Sequence, residues 1–182
     1  KIEQLSYDPD KSKFYLKRAG LSCLDVELDA ADVFPGALDL ALLAAHSEGG
    51  AGVNVNVKRV PKDGYWDEVW MKRPWCLSAW KGRPTTDWVL SYAFSSSSPN
   101  NESFWKNEKF DDLLLKARTE LDEGKRFQMY SDAQALVSGE SGVIIPCFAN
   151  MLMAASDKLV HGEVSGATEL DNFRLAETWS FG

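Results

Sequence analysis

The stretch CLDVELDA, residues 23–30, decides the fold of this chain. Apolar and acidic side chains alternate along it, which predicts a strand with one buried face. The apolar positions of this strand are Leu24, Val26 and Leu28. A helix is predicted over residues 36–48, where apolar side chains recur at helical spacing at Leu38, Leu42 and Ala45. Gly49-Gly50 ends that helix, and the alternating VNVNVK at 53–58 predicts a second strand. A strand, a helix and another strand in this order predict a parallel pair covered by the helix.

The flanking segments extend this pattern on both sides. Upstream, Asp8-Pro9-Asp10 favours a helix start and Gly20 a helix end, so we expect a helix over residues 9–19. Its expected packing residues are Phe14 and Leu16. Downstream, Asp63-Gly64 opens a short helix, and WCLSAW at 75–80 is expected to form a third strand. The first half therefore reads β-α-β-α-β, which indicates an α/β fold with a mixed, mostly parallel sheet flanked by helices.

The second half is predicted to be mainly helical. A polar loop, SSSSPNN, occupies residues 95–101, and TTDW before it resembles a helix start capped by Thr86 or Asp87. Two further helices are expected to begin after the caps Asn107 and Asp122. Their apolar positions are Phe110, Leu113, Leu114, Ala117, Phe127, Tyr130 and Val137.

The remaining chain carries an apolar run and a tail. GVIIPCFANMLMAA, residues 142–155, predicts one or two buried strands, and residues 157–182 are predicted to be irregular. The sequence contains no internal repeat and no long linker. We therefore expect a single domain over residues 1–182.

Composition narrows the class of function. The chain is 45% hydrophobic and 26% charged with a formal net charge of −7. A nucleic-acid partner is not expected, because phosphate contacts need clustered Lys and Arg. No apolar run is long enough to span a membrane. Because the chain starts at Lys1 without a Met, we expect a processed form or a piece of a longer protein.

Residue patterns for catalysis or metal binding are sparse. His46 and His161 are the only histidines, and neither has a second ligand at metal-binding spacing, so neither a metal nor another cofactor is expected. Carboxylate pairs such as Asp111-Asp112 lie at predicted helix starts, where they favour the helix dipole. The three cysteines, Cys23, Cys76 and Cys147, have no CxxC spacing and are interpreted as small buried hydrophobic residues, although one disulfide stays open.

Tryptophan is the unusual feature. Five of the seven tryptophans lie between positions 66 and 88, namely Trp66, Trp70, Trp75, Trp80 and Trp88. Trp75 is interpreted as a core residue. Trp80 ends the predicted third strand where Lys81-Gly82-Arg83 turns away, and ligands of open α/β sheets bind beyond the carboxyl ends of strands. We therefore expect Trp80 in a cleft, while Arg83 is equally compatible with a solvated loop charge.

The order of these motifs resembles solute-binding proteins of family 5, the oligopeptide-, dipeptide- and nickel-binding group that serves ABC importers. The resemblance begins with Tyr7-Asp8-Pro9 and Ala19-Gly20 and continues with a strand ending in Trp80-Lys81-Gly82 before a helix start. It extends through residues 104–137 and 143–154 and so covers essentially the whole chain.

The resemblance implies a two-lobed protein that closes on its ligand about a hinge. This chain would be the second lobe plus the C-terminal tail, and an N-terminal lobe upstream would carry half of the binding site. The partners implied are a peptide or small-molecule ligand, that N-terminal lobe and the membrane permease subunits of the transporter. The location implied is the periplasm, or the cell surface as a lipoprotein in a Gram-positive source.

One departure from the family pattern concerns ligand binding. Peptide-binding members often carry an Asp after W-x-G that pairs with the peptide amine, whereas this chain carries Arg83. A guanidinium binds a carboxylate or phosphate instead. The expected substrate-binding residues are Trp80, Lys81, Gly82 and Arg83, with Trp66 and Trp70 from the helix that the family places near the cleft and Arg73 close to that helix.

Two other functions fit the tryptophan-rich stretch. A carbohydrate-binding module or glycosidase domain would use the tryptophans as a platform for sugar stacking. A protein-interaction domain would use exposed aromatic side chains to contact another chain. A non-enzymatic binding lobe remains the leading interpretation.

Overall fold

The computed structural model describes residues 6–150, 152–166 and 168–182. These residues form two compact units, which meet in the sequence between Ala79 and Trp80 and are described separately. The first unit contains α1 (Pro9–Arg18), β1 (Leu24–Ala30), α2 (Ala37–Glu48), β2 (Val53–Arg59) and α3 (Tyr65–Glu68). The second contains α4 (Thr86–Phe94), α5 (Glu108–Thr119), α6 (Glu123–Glu140), β3 (Leu159–Val160), α7 (Glu169–Phe173), α8 (Leu175–Thr178) and β4 (Ser180–Phe181).

A parallel strand pair is the centre of the first unit, as the sequence predicts. β1 pairs with β2 in a register that places Leu28 opposite Val57. Gly52 precedes β2 with a φ of 83°, a conformation that favours glycine. Leu28, Ala30 and Ala41 of α2 form a core beneath the pair, onto which other apolar side chains pack. The predicted helix-covered parallel pair is therefore confirmed.

The predicted third strand is largely wrong. Only Cys76 forms a parallel bridge, with Asp29 of β1, supported by bonds from Asp29 N to the Trp75 carbonyl at 3.1 Å and from Leu77 N to the Asp29 carbonyl at 3.3 Å. Successive side chains still point to opposite faces over these three residues. Trp75 and Leu77 pack on the core that contains Leu28, and Cys76 packs on the core that contains Tyr65. The expectation that Trp75 is a core residue is confirmed.

The opposite face of β1 holds a buried polar group that the alternation assigns to solvent. Asp29 is 2% exposed, and its Oδ1 has no hydrogen-bond partner in the described part of the chain. Tyr65 is buried beside it and donates its hydroxyl to the carbonyls of Leu77, at 2.8 Å, and Asp29, at 3.3 Å. Burial raises the pKa of Tyr65, and Cys76 adds to the effect. The face of β1 predicted to be polar is therefore a second, partly polar core.

Side-chain caps set the helices of the second unit. Asn107 Oδ1 accepts a hydrogen bond from Phe110 N at 3.0 Å, and Asp122 Oδ1 accepts one from Lys125 N at 2.9 Å. Both predicted caps are confirmed, as is Asp8 at the start of α1. The cap of α4 is Thr85 and not Thr86 or Asp87, because the Thr85 hydroxyl accepts from Trp88 N at 3.2 Å.

Helices α4, α5 and α6 share one core. Its buried members are Leu90, Ala93, Phe94, Phe110, Leu114, Ala133 and Val137. Leu113 and Tyr130 pack against it as expected, whereas Phe127 is largely exposed. In the first unit, Leu16 is buried as expected, but Phe14 and Leu42 are exposed. Periodicity therefore identified the helices more reliably than the members of each core.

The apolar run at 142–155 forms no strand in its described part. Ile144, Phe148 and Leu152 are instead mostly exposed, so the prediction of buried strands is wrong. A strand needs a neighbouring strand for its backbone hydrogen bonds, and periodicity within a segment cannot supply one. Cys147 in this run and Cys23 before β1 are also exposed, so the expectation of buried thiols is wrong for both.

The tail, predicted to be irregular, contains three short ordered features in its described part: the pair of β3 and β4, the turn α7 and the helix α8. β3 and β4 pair in antiparallel fashion. α7 is a left-handed turn, since residues 170–173 have φ between 52° and 62°. Asp171 stabilises this turn by accepting hydrogen bonds from Ser165 N at 2.7 Å and from the Thr178 hydroxyl at 2.9 Å.

Candidate functional site

Arg83 lies at the centre of the candidate site in the second unit. Its Nη1 donates to the carbonyls of Lys81 and Gly82, each at 3.3 Å. Its guanidinium carbon lies 5.5 Å from the centre of the Tyr92 ring and 5.9 Å from that of Trp88. These distances are typical of cation–π contacts. Two carbonyls and two rings thus fix the guanidinium.

The charge of Arg83 has no protein counter-ion among the described residues, where no carboxylate lies within ion-pair distance of it. Arg118 differs, because its Nε binds both oxygens of Asp87, at 2.9 and 3.1 Å. A guanidinium held by neutral groups keeps its attraction for an external carboxylate or phosphate. Arg83 is therefore the side chain of this group best suited to bind an anion.

Trp80 is half-buried and packs against the core of α4, α5 and α6. Its indole N–H donates to Glu102 Oε1 at 3.0 Å, and its ring meets that of Tyr92 edge to face at 5.6 Å. Part of the indole is therefore used in packing, and its N–H is bound to Glu102. The prediction that Trp80 stacks on a ligand stays a prediction.

Lys81 and Gly82 contribute through their backbone carbonyls, which accept from Arg83. The Lys81 ammonium pairs with Glu169 of the tail at 2.9 Å, and both side chains are largely exposed. Such exposed pairs contribute little to stability. In this structure, Lys81 thus connects the loop before α4 to the turn α7.

Trp66, Trp70 and Arg73 belong to the first unit. The rings of Trp66 and Trp70 pack edge to face at 6.1 Å, and Tyr65 meets Trp66 in the same way at 5.4 Å. Trp66 is 45% exposed and Arg73 is also exposed. These three residues are compatible with ligand contact, and their role in binding stays a prediction.

Three residues of the site escaped sequence reasoning. Tyr92 and Trp88 hold Arg83, and Glu102 binds Trp80. Trp88 and Tyr92 are four residues apart on α4, a spacing that places two side chains on one helix face. That spacing could have indicated the ring pair, whereas nothing local pointed to Glu102, which lies beyond a long loop.

An open depression lies beside Arg83 on the outer face of α4. The Trp88 and Tyr92 rings form part of its wall together with Ser91, Ser95, Ser98 and Arg118. The Arg118–Asp87 pair makes its floor polar without a net charge. Asp87 also acts on Tyr130, whose pKa is raised by burial and by this carboxylate.

A larger cavity, of about 960 Å³, lies within the tail. Trp179 stacks on His161 there with ring centres 4.2 Å apart, and its indole N–H donates to Asp171 Oδ2 at 3.2 Å. The hydrogen bonds from Ser165 N and the Thr178 hydroxyl, with smaller effects of Trp179 and Arg174, lower the pKa of Asp171. Asp171 therefore carries a negative charge at neutral pH.

The described residues provide neither a metal site nor a membrane-spanning helix. In the parts of the chain that the structure describes, no group of three or more His, Cys, Asp or Glu side chains is placed to hold a metal ion. Within the same residues, no helix is long and apolar enough to cross a membrane.

Comparison with known proteins places this geometry in context. No family model matches the chain. The dipeptide-binding protein of Escherichia coli K12 is 28% identical, over 79% of this chain and 29% of its own length. The chain thus spans less than a third of that relative.

Two solved structures share the fold at slightly lower identity. A dipeptide-binding protein from Pseudoalteromonas sp. SM9913 in complex with Met-Leu is 27% identical with a TM-score of 0.63, over 72% of this chain and 28% of its own. The binding protein MoaA from A. tumefaciens R10 in complex with mannopinic acid gives the same values.

Each of these three proteins is described as a binding protein. The structural likeness extends over 72% of this chain, and the predicted α/β fold class is confirmed. The predicted resemblance is confirmed as well, since the chain is similar to dipeptide-binding and other solute-binding proteins and shares the periplasmic-binding-protein fold.

Proposed function

We propose that residues 1–182 form one ligand-binding lobe, with the C-terminal tail, of the solute-binding component of an ABC importer. The similarity to three binding proteins over most of the chain supports this role. The lobe acts outside the cytoplasm, in the periplasm or at the cell surface. Its partners are an N-terminal lobe of the same protein, a small polar ligand and the permease subunits of the importer.

The ligand presents an anionic group to Arg83. The observation that carries this proposal is the guanidinium held by two carbonyls and two rings, with no carboxylate of the described chain within ion-pair distance. The conformational entropy of Arg83 is reduced before the ligand arrives, so less is lost on binding. A carboxylate or phosphate would form two parallel hydrogen bonds with such a group.

The mechanism is binding and closure without bond chemistry. A ligand that contacts both lobes only when they approach favours the closed form, and the size of the shift equals its differential affinity for the two forms. The permease then recognises the closed form. No cofactor takes part.

The relatives support a ligand with an acid group. One was crystallised with the dipeptide Met-Leu and another with mannopinic acid. A dipeptide offers an amine and a carboxylate as two possible anchors, and Arg83 selects the carboxylate.

The alternative of a carbohydrate module with a tryptophan platform gains no support. Trp75 packs on the Leu28 core, and Trp80 packs on a helical core with its N–H bound to Glu102. Trp66 and Trp70 pack on each other in the first unit. A flat plate of all five rings would need these side chains to be exposed together.

Dipeptides with one blocked terminus test whether the ligand is held by its carboxylate or by its amine. Met-Leu, N-acetyl-Met-Leu and Met-Leu-amide are titrated into the 182-residue chain while the amide NMR signals around Arg83, Trp88 and Tyr92 are followed. Loss of the carboxylate in Met-Leu-amide is expected to weaken binding roughly tenfold to a hundredfold, because a hydrogen bond to a charged group is worth about 1.5–3 kcal/mol. Acetylation of the amine is expected to have little effect.

Arg83→Gln should abolish the difference between Met-Leu and its amide. Arg59→Gln, which removes the same charge from an exposed position on β2, is the matched control and should preserve it. If acetylation weakens binding and amidation does not, the ligand is held by its amine and the proposal is wrong.

A further inference from the structure

The depression on the outer face of α4 shares the Trp88 and Tyr92 rings with Arg83. The guanidinium carbon lies within 6 Å of both ring centres, and the same rings form part of the wall of the depression. Arg83 itself does not line the depression, and Trp88 and Tyr92 are the residues that connect the two. This inference rests on the proposed function of Arg83.

The depression offers polar atoms that the chain itself leaves available. The Ser95 hydroxyl lines it and has no hydrogen-bond partner among the described residues. Arg118 uses Nε for Asp87 and Nη2 for the Ser91 hydroxyl, while its Nη1 donates to no described residue. Ser98 donates its hydroxyl to the Tyr92 carbonyl and accepts a hydrogen bond from Asn100 N at 3.1 Å, so its oxygen retains one further acceptor position.

The electrostatics of this surface favour neutral hydroxyl groups over a second anion. Asp87 binds Arg118 through both carboxylate oxygens, so the charges of the pair offset each other. What remains is a set of donors and acceptors beside two partly exposed rings, of which Trp88 is 50% exposed. Hydroxyl groups satisfy both kinds of partner, and the carbon chain that carries them packs on aromatic faces.

We propose that this depression is a subsite for the hydroxylated part of a polyhydroxy carboxylate, whose acid group binds Arg83. The ligand class is a sugar acid or a similar hydroxylated acid. Tyr92 and Trp88 lie between the two halves of the ligand, Ser95 and Arg118 bind hydroxyl groups, and Arg83 binds the carboxylate.

Three probes separate the two halves of the site. Gluconate carries a carboxylate and hydroxyl groups, butyrate carries only the carboxylate, and sorbitol carries only the hydroxyl groups. Each is titrated into the 182-residue chain and followed by amide NMR shifts of Arg83, Ser95 and Ser98. Gluconate is expected to bind at least tenfold more tightly than butyrate, since two or more hydrogen bonds of about 1 kcal/mol each are added. Sorbitol is expected to bind more weakly than gluconate.

Variants assign the contacts. Ser95→Ala should weaken gluconate binding roughly threefold to fivefold and leave butyrate unchanged, because one neutral hydrogen bond is lost. Arg83→Gln should weaken both carboxylates. Ser138→Ala, at an exposed position on α6, is the matched control and should change neither.

The two proposals fail differently. If gluconate and butyrate bind equally well and both depend on Arg83, the hydroxyl subsite is wrong and the anionic anchor stands. If Ser95→Ala has no effect on gluconate, the depression is not the subsite. If neither carboxylate depends on Arg83, the proposed function of Arg83 fails, and this inference fails with it.

Discussion

Asn101→Asp is expected to destabilise the second unit strongly. Asn101 is 4% exposed and holds the loop between α4 and α5 from within. Its Nδ2 donates to the carbonyls of Trp105 at 2.6 Å and Ser95 at 3.3 Å, and its Oδ1 accepts from the Ser103 hydroxyl at 3.0 Å. The adjacent Glu102 binds Trp80, so this loop also supports the candidate site.

The magnitude follows from these contacts. Aspartate has the same shape but no N–H, so both donated bonds are lost, at about 1 kcal/mol each. The new carboxylate also faces the two carbonyls in a buried place without a counter-ion, which adds about 1–3 kcal/mol. The total loss in the free energy of unfolding is therefore about 3–5 kcal/mol.

Urea-induced unfolding measures this loss. The amide NMR signals of α5 and α6 report on the second unit alone. With an m-value of about 2 kcal/mol per molar urea, the midpoint should fall by roughly 2 M. Asn100→Asp makes the same chemical change at the neighbouring, less buried position and should shift the midpoint by much less. If the two variants unfold at the same urea concentration, the described role of Asn101 is wrong.

Three further variants test the packing and the tail. Tyr65→Phe should lower the free energy of unfolding by about 1–2 kcal/mol in urea titrations, because the Leu77 carbonyl loses a buried donor. Folding raises the pKa of Tyr65, so the stability that its protonated hydroxyl contributes is present below pH 10 and is lost at higher pH. The decrease in stability at high pH should therefore be smaller in Tyr65→Phe. Asn107→Ala should cost about 1 kcal/mol by thermal unfolding, and Asn107→Ser, which preserves the cap and loses, as Ala also does, the exposed bond from Asn107 Nδ2 to Glu140, much less. Folding lowers the pKa of Asp171 below its ordinary value of 3.8. The stability that the Asp171 carboxylate contributes is therefore present above pH 3.8 and is lost as the pH falls through the folded pKa. Because the Trp179 indole donates to this carboxylate, Trp179 fluorescence should change over the same pH range, and this change should be absent in Asp171→Asn.

Features set by local chemistry could be predicted from the sequence. The caps Asp8, Asn107 and Asp122 satisfy backbone N–H groups within three residues of themselves. The extents of β1 and β2 also follow from local patterns, because both strands alternate with period two. Where a decision depends on a few neighbouring residues, sequence reasoning gave the observed structure except at α4, whose cap is Thr85 and not Thr86 or Asp87.

Features set by distant partners could not be predicted in the same way. The run at 142–155 is apolar enough for a buried strand, yet Ile144 and Phe148 are exposed because strand formation depends on a pairing neighbour. Asp29 occupies one of the alternating polar positions of β1, yet it is buried beside Tyr65. Alternation within β1 cannot show that another segment covers this face.

The candidate site shows the same division. Arg83 could be selected from the sequence, since its position after W-x-G departs from the family pattern. Its partner rings lie on α4, and Glu102 approaches Trp80 only because the 95–101 loop folds back. The sequence could therefore predict Arg83 as a candidate anion-binding residue, but it could not predict the side chains that orient the guanidinium.

Mass spectrometry of small molecules that co-purify with the protein from its native host tests the central claim most directly. The account predicts a compound with an acid group that is retained by the natural sequence and by Arg59→Gln but lost from Arg83→Gln. A mixture of peptides retained equally by all three proteins would contradict it, because the anchor would then lie elsewhere.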